Sequence, residues 1–147
     1  MAHREKRCWY TADEIAQITA DGLVTSHAQA ERWLVEGLRL LGVAADAGRL
    51  TEAVAESPSS VADHLPGLDA ETIARYDALI AAAVRWRLRV LRTEGRSNVA
   101  DPHWVRTEPL ERLWFPNPLP SRMPHAMATS PMELRRVGIM IPVSALR

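Results

Sequence analysis

Cysteine, lysine and aromatic residues are scarce in this chain, and each scarcity excludes something. With Cys8 as the single cysteine, no internal disulfide can form, so a packed core has to hold the fold. The opening residues, Met1 to Arg7, are charged with no apolar segment behind them, which is unlike a secretory leader. A cytoplasmic location is expected. No apolar run approaches the roughly 18 residues that a membrane-spanning helix needs; the longest, Ala78 to Val84, is far shorter. No membrane partner is expected.

Grouped ligands are lacking as well. His3, His27, His64, His103 and His125 are scattered, without the close spacing of a metal site. Asp101-Pro-His103 comes nearest and reads as a polar loop beside a proline. There is no G-x-S-x-G elbow, no phosphate-binding loop and no dinucleotide fingerprint, and no histidine stands near Cys8 to activate it. The sequence therefore predicts a non-enzymatic protein with no metal and no cofactor.

What is present is enough for one domain: 147 residues, 47% hydrophobic and 24% charged. Net charge is zero but unevenly spread. Residues 11–71 hold 11 acidic side chains against three arginines, and residues 72–147 hold six against 12. The front is acidic and the back is basic, which bears on partners more than the total does. Lys6 is the one lysine, so the cations are otherwise arginines.

Helix starts are legible from capping boxes, in which a Ser or Thr oxygen accepts a free N–H and a Glu or Gln three residues on reaches back. Thr11 with Glu14, Ser26 with Gln29 and Ser130 with Glu133 predict helices near 11–20, 26–41 and 130–136. In the second, Ala30, Trp33, Leu34, Gly37, Leu38 and Leu41 share a predicted buried face and Gly42 is the expected stop. A helix near 46–56 is expected to start at Asp46, followed by a short turn around 58–64. Asp69 is expected to cap a long helix ending near Glu94 and Gly95, with Ile73, Tyr76, Ile80, Ala83, Val84, Leu88 and Leu91 as its core stripe. Eight of the ten prolines lie beyond residue 100, and Pro116 to Pro120 reads as extended. That region also carries bulky apolar groups, so it should lie pinned to a surface, with a possible strand at 139–143. The predicted fold is mainly α: a small helical bundle over 1–100, then an extended Pro- and Trp-rich C-terminal segment, 101–147, packed on the domain or on a partner.

The candidate partner-binding set comes from the long helix and this tail: Arg85, Trp86, Arg89, Arg92 and Arg96, with Trp104, Trp114 and Phe115. The four arginines are spaced to line one side of a helix opposite its apolar stripe, where they could meet phosphates, an acidic partner or only water. Arg87 falls on the apolar stripe itself and must snorkel or find a carboxylate. Trp86 points away from the stripe, as an outward anchor or under the C-terminal segment. A helix-turn-helix over residues 10–34 is disfavoured, because Asp21 to Val24 makes the turn too long and His27, Gln29 and Glu31 stand where basic groups would meet DNA.

Three stretches, Asp101-Pro-His-Trp-Val105, Leu110 to Pro116 (LERLWFP) and Ser130 to Pro142 (SPMELRRVGIMIP), resemble the tail of small helical proteins from bacterial toxin–antitoxin-type gene pairs. The partner gene there resembles a nucleotidyltransferase. The resemblance implies a protein partner that the chain neutralises. The expected function is a non-enzymatic binding protein, antitoxin-like or regulatory, with a toxin-like enzyme as partner. The alternatives are a structural subunit of a larger assembly, such as a phage head–tail connector that self-associates with its neighbours, and a nucleic-acid-binding regulator using the arginine stripe.

Overall fold

Thr11 starts the first helix as its spacing predicts: its hydroxyl accepts the Glu14 N–H and the Glu14 carboxylate returns to the Thr11 N–H, at 3.2 and 3.1 Å. The computed structural model describes residues 7–116 and 119–147. His3, Lys6, Asn117 and Pro118, and with the last two part of the extended reading of 116–120, lie outside the described residues. Helix α1 (Ala12–Leu23) packs along α2 (His27–Asp46) as a hairpin. At the start of α2 the Ser26 hydroxyl accepts the Gln29 N–H.

Helix α2 does not stop at Gly42. It runs a turn further, and Gly48, at φ +71°, ends it: the Gly48 N–H donates to the Ala45 carbonyl and the Arg49 N–H to that of Ala44. Gly42 serves close approach instead. A Cβ there would sit 2.5 Å from Arg87 Nη2 and 2.8 Å from Arg96 Nη2. Asp46 thus closes α2 rather than opening the next helix, and α3 is shorter than predicted, at Leu50–Val54.

After α4 (Val61–His64), Asp69 caps α5 (Ala70–Thr93) through the Thr72 N–H. At 24 residues α5 is about 36 Å long, and it touches α1, α2 and α4 from the front of the chain and α7 and the His103–Val105 turn from the back. The predicted stripe is too narrow. Every residue from Ala78 to Val84 is buried, as is Trp86, because the two ends of the chain cover opposite sides of the helix. An all-round apolar stretch is the mark of a helix inside a core.

The C-terminal segment packs on its own domain. Val105, Leu134, Val137, Ile139, Ile141 and Leu146 join the same apolar cluster as Ile15, Leu38 and Leu88. It contains α6 (Met123–Thr129), which the prolines hid: Pro124 sits in the first turn, where a missing N–H costs nothing. Helix α7 (Met132–Arg135) is not started by the predicted Ser130–Glu133 box. The Ser130 hydroxyl instead donates back to the Ala126 carbonyl at the end of α6, and Glu133 turns toward α5. The strand expected at 139–143 is reduced to one parallel bridge, Trp114 to Ile139, since Pro116 and Pro142 limit the ladder. Among the described residues no helix is long and apolar enough to cross a membrane.

Trp33 departs from its predicted burial, at 40% exposed, while Leu34 and Leu38 are sealed. It sits at the edge of the α2 stripe, over the end of α1. There a Cβ on Gly22 would lie 2.8 Å from Trp33 Cδ1 and 2.8 and 2.9 Å from backbone atoms of Gln29 and Ala30. Helix propensity favours alanine over glycine by about 0.8–1 kcal/mol, so space decides the sign at each glycine. Gly22→Ala is expected to lose about 1–2 kcal/mol in urea unfolding, because backbone cannot give way. Gly42→Ala, opposed only by the ends of flexible arginines, should be near neutral. Leu38→Ala should cost about 2–5 kcal/mol and Trp33→Ala clearly less; the reverse order would mean that the α2 face is misassigned.

Candidate functional site

The arginine stripe turns inward. Arg89 lies in the middle, and its Nε and Nη2 donate to the two oxygens of Glu133 at 2.5 and 3.1 Å. Glu133 is only 5% exposed. Burial pushes its carboxyl up, yet hydrogen bonds from Arg89 and from its own backbone N–H, with the charges of Arg89 and Arg85, hold it below the ordinary carboxylate value. Arg85 and Arg92 both engage Asp101, at 3.2 and 3.0 Å, and Arg92 also donates to the Val99 carbonyl. The expected polar loop at Asp101 is therefore an anchor. Arg96 is not on the helix at all, since Gly95 ends α5 in the same way that Gly48 ends α2; it grips Asp46 with two hydrogen bonds. Arg87, about 200° around the helix from Arg89, snorkels toward α2 and donates to the Leu38 carbonyl at 3.0 Å. Burial, then the neighbouring Arg96, pushes its guanidinium below the ordinary value.

The aromatic candidates divide. Trp86 is no outward anchor: it is 2% exposed and belongs to the same apolar cluster as the buried residues of the C-terminal segment. Trp104 fastens that segment to the front of the chain by donating its indole N–H to the Val54 carbonyl at 2.9 Å. Phe115 is half-buried. Trp114 stands edge-on to both His27 and Tyr76, with ring centroids 5.7 and 5.3 Å away, and the Arg75 guanidinium lies 5.6 Å from its ring centroid.

Under Trp114 runs a polar chain from Tyr76 through His27 to Glu31. Burial, then the charge of Glu31, pushes the Tyr76 phenol up to about 12. It therefore keeps its proton, and because a carboxylate can only accept, Glu31 takes a hydrogen bond from His27 Nε2–H. The chain orients the imidazole and seats the tryptophan; it does not present an activated phenolate. Among the described residues no group of three His, Cys, Asp or Glu side chains could hold a metal ion.

Beside this cluster a groove of about 610 Å³ opens between the first half of α5 and the irregular residues 107–112. Ala70, Ala74 and Ala78, four residues apart, form its floor on α5, with Leu110 and Pro109 opposite. Its charged lining is Glu71, Asp77, Glu108 and Glu111 against Arg75 and Arg112. None of these belonged to the predicted set. The one available signal was the run of small residues at a four-residue spacing on a helix otherwise rich in bulky side chains. A smaller pocket of about 230 Å³ between 57–60 and Trp104 shares Asp77 and Thr107 with it. Asp77 is held there by the Ser60 hydroxyl and the Val61 N–H, at 2.6 and 2.9 Å.

Compared with protein-family models, curated proteins and solved structures, the chain matches none.

The pairing of the stripe sets what charge reversal should do. Arg85→Glu with Arg89→Glu would set like charges against Asp101 and Glu133, so loss of fold is expected before any effect on binding. Arg89→Met, which strands the Glu133 carboxylate, should cost about 2 kcal/mol at neutral pH, below the roughly 3–5 of a fully buried pair because Arg89 reaches water. Glu133 has a lowered folded pKa, so its contribution is complete above its ordinary value of 4.5 and is lost as pH falls through the folded value. Chemical unfolding from roughly pH 5 to pH 3 should show a flatter decline for Glu133→Gln than for the parent. The slope that remains belongs to Asp13, Glu36, Asp46 and Asp69, held low by the Ser59 N–H, by Arg39, by Arg96 and by the Thr72 N–H.

Proposed function

We propose that the chain is a non-enzymatic binding protein of antitoxin-like or regulatory type, and that the α5 groove is where it meets a protein partner. The groove carries the reading. It is open to solvent, floored by methyl groups and bordered by a segment that polar clamps hold in place, features that suit a preformed site. The resemblance of the tail to antitoxin-type proteins supports the same class and points to a toxin-like enzyme as the partner. Binding to nucleic acid through the arginines loses its basis, since each would first have to leave a carboxylate.

The test is co-expression with the product of the adjacent gene. A heteromeric complex on size-exclusion chromatography, lost in Ala74→Trp, is expected. A chain that instead assembles alone into a closed ring of fixed mass would replace this reading with that of an assembly subunit.

A further inference from the structure

The lining of the groove narrows the chemistry of its occupant, an inference that rests on the reading above. Glu71 is paired with Arg75, and Arg75 also lies over Trp114, so these two charges cancel locally. Among the described residues Asp77 is held by the Ser60 hydroxyl and the Val61 N–H, neutral donors that leave its negative charge uncompensated. Glu108 and Glu111 are exposed and, among the described residues, make no ion pair or hydrogen bond. Against these three carboxylates stands Arg112 alone. The field over the groove is negative, although this half of the chain is basic.

The main chain adds a second constraint. The Leu110 and Trp114 N–H groups point to the carbonyls of Val137 and Gly138, on the side of α7. Thr107, Glu108, Glu111 and Arg112 line the groove, and among the described residues their backbone N–H and C=O groups make no backbone hydrogen bond. A non-helical segment with free donors and acceptors beside an apolar floor suits a peptide, which brings its own main-chain partners, better than a compact organic molecule.

We infer that the groove takes a short, extended, lysine- or arginine-bearing segment of a partner protein. Its apolar side chains lie on Ala70, Ala74 and Ala78, its cations face Asp77, Glu108 and Glu111, and its backbone pairs with the free groups of Thr107, Glu108, Glu111 and Arg112. Charge complementarity excludes an acidic segment, and the methyl floor requires alternate residues of the occupant to be apolar.

Two fluorescent eight-residue probes test this with the whole chain by anisotropy, one alternating leucine with lysine and the other leucine with glutamate. The lysine probe should bind at least tenfold more tightly than the glutamate probe. Ala74→Trp, which fills the floor, should weaken the lysine probe tenfold or more. Glu108→Lys with Glu111→Lys should reverse the preference between probes. All three positions are exposed, and an unchanged melting curve verifies the fold of each variant. Equal binding of both probes, lost in Ala74→Trp, would overturn the cationic assignment and leave the groove as a binding site. Binding of the lysine probe untouched by either variant, or no binding of either probe, would overturn the inference itself. A complex with the adjacent-gene product that survives Glu108→Lys with Glu111→Lys but not Ala74→Trp would likewise overturn it while the proposed function stood.

Discussion

The structure depends on one buried carboxylate. Glu133 enters an apolar region between α7 and α5, and taking an ionised group out of water there is strongly unfavourable unless another charge meets it. Arg89 meets it with two hydrogen bonds, which ties the position of α7 to one turn of α5. A seam of apolar contacts would tolerate sliding by a residue or two. A fork of two donors on two oxygens does not, because any shift leaves charge unpaired. The path of the C-terminal segment is thereby fixed at its far end. Asp101 fixes the near end between Arg85 and Arg92, and the Trp104 indole fastens what lies between to α3.

That arrangement accounts for the character of α5. A helix with one covered side needs one apolar stripe; α5 is covered by α1, α2 and α4 on one side and by the C-terminal segment on the other, and Ala78 to Val84 is apolar throughout. The arginines occupy the boundary where the segment crosses it. Their spacing, which reads as a surface for an acidic partner, does match acidic groups, and those groups belong to the same chain. The imbalance between an acidic front and a basic back is partly resolved in the same way, through Arg96 on Asp46.

Local rules were legible where a single turn of backbone decides the outcome. Thr11, Ser26 and Asp69 cap their helices as their spacing predicts, and Gly95 ends α5, because each involves groups within a few residues. The mainly α fold follows from them. Legibility failed where a distant residue competes for a local group. Gly42 reads as a stop until Arg87 and Arg96 are known to lie against it. Ser130 and Glu133 read as a capping pair, but Arg89, 44 residues away, offers the carboxylate a full charge in place of one backbone N–H. Trp86 faced away from the stripe and still proved buried, since periodicity along one helix cannot reveal a second covering layer. The groove was the least legible part. It is made by absence of bulk at Ala70, Ala74 and Ala78, opposite a segment 29 to 42 residues further along the sequence.

The groove persists for a physical reason that follows from the clamps. Collapse would require residues 107–112 to move onto the alanine floor, burying Glu108 and Glu111 and the unpaired backbone around them. No cation on α5 stands free to meet those carboxylates: Arg75 already serves Glu71 and Trp114, and Arg85, Arg89 and Arg92 are engaged further along. Burying two carboxylates and several backbone groups without partners would cost far more than a few methyl groups could return, at about 25 cal/mol per Å² of apolar area. Movement away from the floor is opposed as well, because the Leu110 and Trp114 N–H groups would leave the carbonyls of Val137 and Gly138. The segment is therefore held off the floor from both sides, by its hydrogen bonds to 137–138 and by the cost of burying Glu108 and Glu111.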